Sequence, residues 1–180
     1  MDDVHFRRLA RADFPMLGAW LAAPHAKRWW NHDPSAAAVE ADFGVSVDGA
    51  DLAEIFIVSD GAQPFGLIQR YTFADNPDYQ AELGPLLAVP PAALSIDYLI
   101  GEAAWLGRGS GTAMIRAAVA ALWKDYPMAP SAIVPVVAAN RASWRALERA
   151  GFRRIAQGPL APDNPIDDPL HYVYRLDRPD

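Results

Sequence analysis

The chain contains no cysteine. Disulfides, thiolate nucleophiles and cysteine metal sites are therefore excluded together, and any covalent step would fall to another side chain. It also lacks an apolar run long enough for a membrane span, and Met1, Asp2 and Asp3 do not resemble the basic start of a signal peptide. A cytoplasmic protein with no membrane partner is the expectation. Positive charge is in deficit, with 16 Lys and Arg against 22 Asp and Glu and a formal charge of −6. That balance argues against nucleic acid as a principal partner, because such affinity is carried by cations that neutralise phosphates. A small polycation suits it better, although mild acidity also aids solubility.

What is present is the composition of an ordinary globular protein, 52% hydrophobic and 21% charged over 180 residues. This is enough for a single domain, expected to span 1–180, with a sizeable core. Val4–Leu9 alternates apolar and polar residues and reads as an edge strand. Asp13 is placed to cap a helix reaching about Ala22, and Asp33 with Pro34 to start another over Ser35–Phe43. Ile55–Val58 and Phe65–Thr72, separated by Asp60-Gly61-Ala62-Gln63, predict a β-hairpin. Ala74–Leu94 carries four prolines without a sustained period and reads as a long loop. A strand over Ser95–Ile100, a helix to about Lys124, a strand over Ala132–Val136, a helix over Arg141–Ala150 capped by Asn140, and a final strand pair complete the order βααβββαβαββ.

The most informative stretch joins the strand at Ser95 to the helix after it: Leu106-Gly107-Arg108-Gly109-Ser110-Gly111-Thr112. Glycines let backbone N–H groups approach an anion, and the first free N–H groups of a helix favour negative charge, so a phosphate-bearing cofactor is the natural guest. A P-loop would need Lys then Ser or Thr after its last glycine, and Gly111 is followed by Thr112 and Ala113. A dinucleotide fingerprint would need a further glycine where Thr112 stands.

Gly109 and Gly111 instead occupy the glycine positions of the pyrophosphate loop of the GNAT N-acetyltransferases, with Leu106 where Arg or Gln is common. Asn140-Arg141-Ala142-Ser143, followed at a distance by Gly151-Phe152, resembles the second signature of that family. The resemblance implies an α/β fold with a mixed central sheet, splayed at the acetyl-CoA site and flanked by helices. It implies acetyl-CoA as co-substrate, held by Gly107, Arg108, Gly109, Ser110, Gly111 and Thr112, by Leu99 and Ile100 on the strand before the loop, and by Asn140 and Ser143. Leu99 is the nearest match for a backbone N–H that polarises the thioester carbonyl.

The segments Leu17–Leu21, Pro24-His25, Trp29-Trp30 and Ser95–Glu102 resemble aminoglycoside 6′-N-acetyltransferases. That resemblance implies Asp97 as the group assisting deprotonation of the substrate amine, with Trp30, Gln69 and Tyr71 lining the substrate cleft. The chemistry agrees, since an ammonium must lose a proton before it attacks a thioester. Two positions depart from the pattern. Leu147 stands where a proton-donating Tyr is common, leaving Tyr98, Tyr172 or solvent to protonate the thiolate, and Pro135 stands where an acidic substrate contact is common. Asp75, Asp78, Glu82 and Glu102 either ring the cleft as an acidic collar or solvate a long loop. His25, His32 and Asp33 read as capping or surface groups, so no metal is expected. An acyltransferase of siderophore assembly, a protein N-terminal acetyltransferase and a non-catalytic CoA-binding regulator are the rival functions, and a homodimer is left open.

Overall fold

The structure is a computed structural model that describes residues 3–179; Met1 and Asp2, part of the N-terminal expectation, and Asp180 lie outside the described residues. The described residues form a seven-stranded sheet ordered β1-β2-β3-β4-β5-β7-β6. Its strands are β1 (Val4–Arg8), β2 (Glu54–Asp60), β3 (Gln63–Thr72), β4 (Leu94–Ile100), β5 (Ser131–Val137), β6 (Arg153–Pro159) and β7 (Leu170–Asp177). All neighbours are antiparallel except β4 and β5, which run parallel and pair only at Leu94 and Ala132. The α/β fold with a mixed, splayed sheet is therefore as the sequence implied.

Helices cover both faces, and each owes its position to an apolar stripe. On one face α1 (Phe14–Ala22) and α3 (Ala36–Val47) bury Leu17, Trp20, Leu21 and Phe43 against Ile55, Ile57, Leu67 and Leu99. On the other, α5 (Ser110–Asp125) and α6 (Arg141–Ala150) bury Met114, Ile115, Val119, Leu122 and Leu147 against Ile68, Ile96 and Val134. This division follows from the strand period, which sends odd and even residues of β4 to opposite faces.

Several local expectations are corrected. Asp13 does not cap α1 with its side chain, because its own backbone is already helical and its carboxylate accepts from Ala10 N (2.9 Å) and from both arms of the Arg7 guanidinium (2.8 Å). Ser35 rather than Asp33 caps α3, accepting from Ala38 N at 3.3 Å, and the helix runs a turn past Phe43. Pro24–Trp30 is itself a helix, α2, closed by Asn31 in the left-handed region at φ 39°. Ala74–Leu94 is not loop throughout, since it holds the short helix α4 (Pro77–Leu83). Pro77 sits in the first turn of α4, where a missing N–H costs nothing, and Pro85, Pro90 and Pro91 all follow its end. Leu83 anchors that segment in a third apolar cluster with Phe73, Val89, Ile133 and Val173.

One local feature is consistent with the splay. Ala138 N donates to Leu170 O and Arg178 N to Pro130 O, so even-numbered residues of β5 are spent on β7 and odd-numbered ones face β4. Pro135 is one of the latter. It has no N–H with which to carry the parallel ladder beyond Leu94 and Ala132.

Candidate active site

The opening between β4 and β5 exposes backbone groups that a continuous sheet would consume. Gly101 N donates to Phe65 O at 2.9 Å, which fixes the parity of β4: Asp97 and Leu99 turn their amides to β3, and Tyr98 and Ile100 turn theirs into the opening. The Leu99 amide is thus committed to the ladder with Leu67, and Tyr98 and Ile100 replace it as donors aimed at the splay. The two carbonyls on this edge are already partnered, Tyr98 O by Trp30 Nε1 (3.3 Å) and Ile100 O by His25 Nε2 (2.9 Å). What is left for a guest is the pair of N–H groups.

At the head of α5, Gly107 and Gly109 hold φ of 72° and 86°, a region that side-chain-bearing residues rarely adopt, and nothing lies within 4 Å of where their Cβ atoms would be. The first helical bond is Ala113 N to Gly109 O (3.0 Å), so the N–H groups of Ser110, Gly111 and Thr112 precede the hydrogen-bonded ladder. Ser110 Oγ is buried without a partner there. Gly107 and Gly111 border the large cleft, whereas Arg108, Gly109, Ser110 and Thr112 are not part of its wall and Arg108 is exposed. Asn140 and Ser143 border it too, but the Asn140 side chain is occupied as the cap of α6, its Oδ1 accepting from Ser143 N at 3.2 Å.

That cleft, of about 1470 Å³, extends from the glycine loop across the splay to α2 and α3, and Asp97, Gln69, Tyr71, Trp30, Leu99 and Ile100 all border it. Gln69 and Asp97 are cross-strand partners on one face, and Gln69 Nε2 donates to Asp97 Oδ2 at 2.8 Å. Burial raises the pKa of Asp97 above the usual carboxylate value; the Gln69 amide and the Tyr71 hydroxyl pull it down, and the charge of Asp163 pushes it further up. Tyr71 and Tyr79 are pushed up chiefly by burial and stay neutral.

Of the two readings left open for Asp75, Asp78, Glu82 and Glu102, the structure gives the cleft to one residue and holds the rest off its wall. Only Glu82 of the four borders the cleft, joined by Asp42, Asp51, Asp97 and Asp163. Glu102 accepts from Trp20 Nε1 (2.8 Å), Asp75 is tied to Thr72 (2.6 Å), and Asp78 lies away from the cleft wall. The histidines do not converge: His25 donates to Ile100 O, His32 faces Asp42 at 2.7 Å, and Asp33 accepts from Ser35 N. No group of three or more metal-ligating side chains occurs among the described residues.

Two features of the site carried no periodic signal in the sequence. The β6–β7 connection passes along the cleft, pinned by the Arg28–Asp167 ion pair (2.8 Å), by Asn164 Nδ2 on Arg28 O (3.2 Å) and by Ala161 N on Glu82 (2.9 Å). It supplies Leu160, Ala161, Pro162 and Asp163 to the wall. His171 on β7 also borders the cleft, with Nδ1 donating to Pro169 O at 2.8 Å. The Ala161-Pro162-Asp163-Asn164-Pro165 run was the one available hint of a turn-rich strap.

Against known proteins, the model of the GNAT acetyltransferase domain matches residues 10–160. The aminoglycoside N(6′)-acetyltransferase type 1 of Klebsiella pneumoniae is 30% identical over 170 residues, covering 91% of this chain and 80% of that protein. The crystal structure of aminoglycoside acetyltransferase AAC(6′)-Ib with coenzyme A superposes with a TM-score of 0.83 at 27% identity, covering 98% of this chain and 95% of that one. The same enzyme with ribostamycin and coenzyme A also gives 0.83 at 27% identity, over 98% and 94%. With the splayed β4–β5 edge and the glycine loop at the head of α5, these matches establish that the chain belongs to the GNAT family of acetyltransferases.

Proposed function

We propose that this acetyltransferase moves the acetyl group of acetyl-CoA to a primary amine of an aminoglycoside, at the 6′ position, as the names of its relatives suggest. The observation that carries the proposal is Asp97, a carboxylate oriented by Gln69 on the floor of an acid-walled cleft that opens onto the β4–β5 splay. A polycationic amine sugar fits such walls by charge, and a raised carboxylate pKa makes Asp97 a better proton acceptor than an exposed one.

The residues present fit the coenzyme. Glycines with open space above them and the leading N–H groups of α5 suit a pyrophosphate, and the Tyr98 and Ile100 amides suit an amide-rich chain and a thioester oxygen. Acetyl-CoA supplies an activated acyl carbon. Asp97 takes the amine proton, Gln69 holds the carboxylate in place, and Trp30 and Tyr71 shape the cleft around the sugar. Backbone amides at the splay stabilise charge on the carbonyl oxygen. The working compartment of such an enzyme is the cytoplasm.

The test is coenzyme A release from acetyl-CoA with kanamycin or ribostamycin as acceptor, followed by location of the acetyl group by NMR. Product acetylated at the 6′ amine is expected. Stabilisation by acetyl-CoA without turnover on any amine would favour the CoA-binding regulator instead, a reading consistent with a leucine, which carries no hydroxyl, at position 147 of α6.

A further inference from the structure

Aminolysis of a thioester makes two proton demands in two places: the attacking ammonium must lose a proton and the departing sulfur must gain one. On the acetyl-transfer reading above, Asp97 meets the first. The second falls on the opposite face of the same strand. Successive side chains of β4 leave opposite faces of the sheet, so Asp97 and Tyr98 flank a single peptide link at the splay. The Asp97 side faces the substrate cleft beside Gln69, and Tyr98 packs toward α5 and α6.

There the Tyr98 hydroxyl lies 2.7 Å from the Ser143 hydroxyl, in the first turn of α6, and both residues border the cleft. Two hydroxyls carry two protons, and only one is needed for the bond between them. The other acceptor in reach of Tyr98 is the Ser143 carbonyl at a long 3.3 Å, a contact that an anion displaces easily. Burial raises the pKa of Tyr98, so it holds its proton through the neutral range. The alternatives are placed badly. Tyr172 is edge-on to Trp144 with the Arg154 guanidinium over its ring (4.3 Å) and is absent from the cleft wall, and Tyr71 lies on the Asp97 face.

The geometry points to the Tyr98–Ser143 hydroxyl pair as the acid that protonates the departing sulfur of coenzyme A. As the N–C bond forms the C–S bond breaks, its electron pair goes to sulfur, and the spare proton of the pair follows it. The nitrogen sheds a second proton as it becomes an amide, and water in the open cleft carries a proton back to the pair, so of the two protons the ammonium loses one ends on sulfur and one is released. Base and acid thus stand on the two faces of one strand, with the acyl carbon between them.

Because the chain has no cysteine, coenzyme A is the sole thiol in a solution of its complex, and its ionisation is read directly from ultraviolet thiolate absorbance. A hydroxyl donating to bound sulfur favours the thiolate. Tyr98→Phe is therefore expected to lower the thiolate fraction of bound coenzyme A at fixed pH by about three- to tenfold. It should lower kcat by about 10²-fold, while acetyl-CoA affinity stays within about twofold. Ser143→Ala should move both readouts in the same direction, and the double variant should do little more than Tyr98→Phe, since the two groups act as one unit. Parent-like thiol titration and turnover in Tyr98→Phe would overturn the assignment alone. Failure of the parent protein to bind acetyl-CoA would overturn the transferase reading and this assignment with it.

Discussion

Asp97→Asn separates catalysis from stability, because the structure gives the two effects opposite signs. Asparagine keeps the shape of the side chain, and its carbonyl oxygen can still accept from Gln69 Nε2, so the cleft floor should persist. What it loses is proton affinity. Removal of a positioned base costs about 10²–10⁴-fold in kcat, which is about 2.7–5.4 kcal/mol of barrier. Stability should move the other way. The pKa of Asp97 is raised in the folded protein by burial, so its ionisation opposes folding; the penalty is absent below the unfolded-state carboxylate pKa, grows as pH rises from there to the folded value, and is constant above it. Asparagine never ionises. The variant should therefore unfold at or above the parent midpoint at pH 7, with any advantage vanishing near pH 3 to 4, around the ordinary carboxylate value of about 3.9. Steady-state rates across pH with kanamycin, alongside urea unfolding at two pH values, make the measurement. Loss of activity and of stability together at neutral pH would refute the reasoning, because Asp97 would then be a structural carboxylate.

Leu147→Ala deletes a fully buried side chain between α6 and the sheet and should cost about 2–5 kcal/mol by urea unfolding; a cost below about 0.5 kcal/mol would contradict its core placement. Gly109→Ala forces a Cβ onto φ 86° and should cost about 1–2 kcal/mol, whereas a Cβ at Gly111 would meet nothing nearer than Ala146 Cβ at 3.7 Å. Gly111→Val should accordingly keep its thermal midpoint near that of the parent and lose acetyl-CoA affinity by calorimetry, an outcome that normal affinity would contradict. Affinity for a polycationic aminoglycoside should fall steadily as salt rises, since the cleft carboxylates are screened over about 8 Å at physiological ionic strength; affinity independent of salt would remove the acidic wall as its source.

Much of the architecture was legible because it depends on short-range chemistry. The glycine spacing around Gly109 announced an anion-accepting loop before a helix, Asn140 announced the cap of α6, and the turn residues between Ile55–Val58 and Phe65–Thr72 announced a hairpin whose second strand the structure extends by two residues. Helix α4 was obscured because prolines look alike in a sequence whether they begin a helix, as Pro77 does, or follow one, as Pro85 does. The choice between collar and solvated loop was left open by the sequence for a related reason. Asp75, Asp78 and Glu82 are close in the chain, but a carboxylate borders a cleft only if its element turns it there, and Asp42, Asp51 and Asp163 come from three separate segments.

By itself the sequence determined the α/β class and the family, and it offered Asp97 as the candidate base, since a motif is a local pattern and β4 is a local strand. Only the tertiary structure decided which backbone amides face the splay and which hydroxyls meet beside it. Strand parity is set by the partner: a donation from Gly101 to Phe65 turns Leu99 inward to β3 and Tyr98 outward to the splay. Pro135, which in the sequence looks like a missing contact, in three dimensions also faces β4 without a donor to offer it. The meeting of Tyr98 with Ser143, 45 residues apart, depends on α6 packing back over β4 and is written in no short-range pattern.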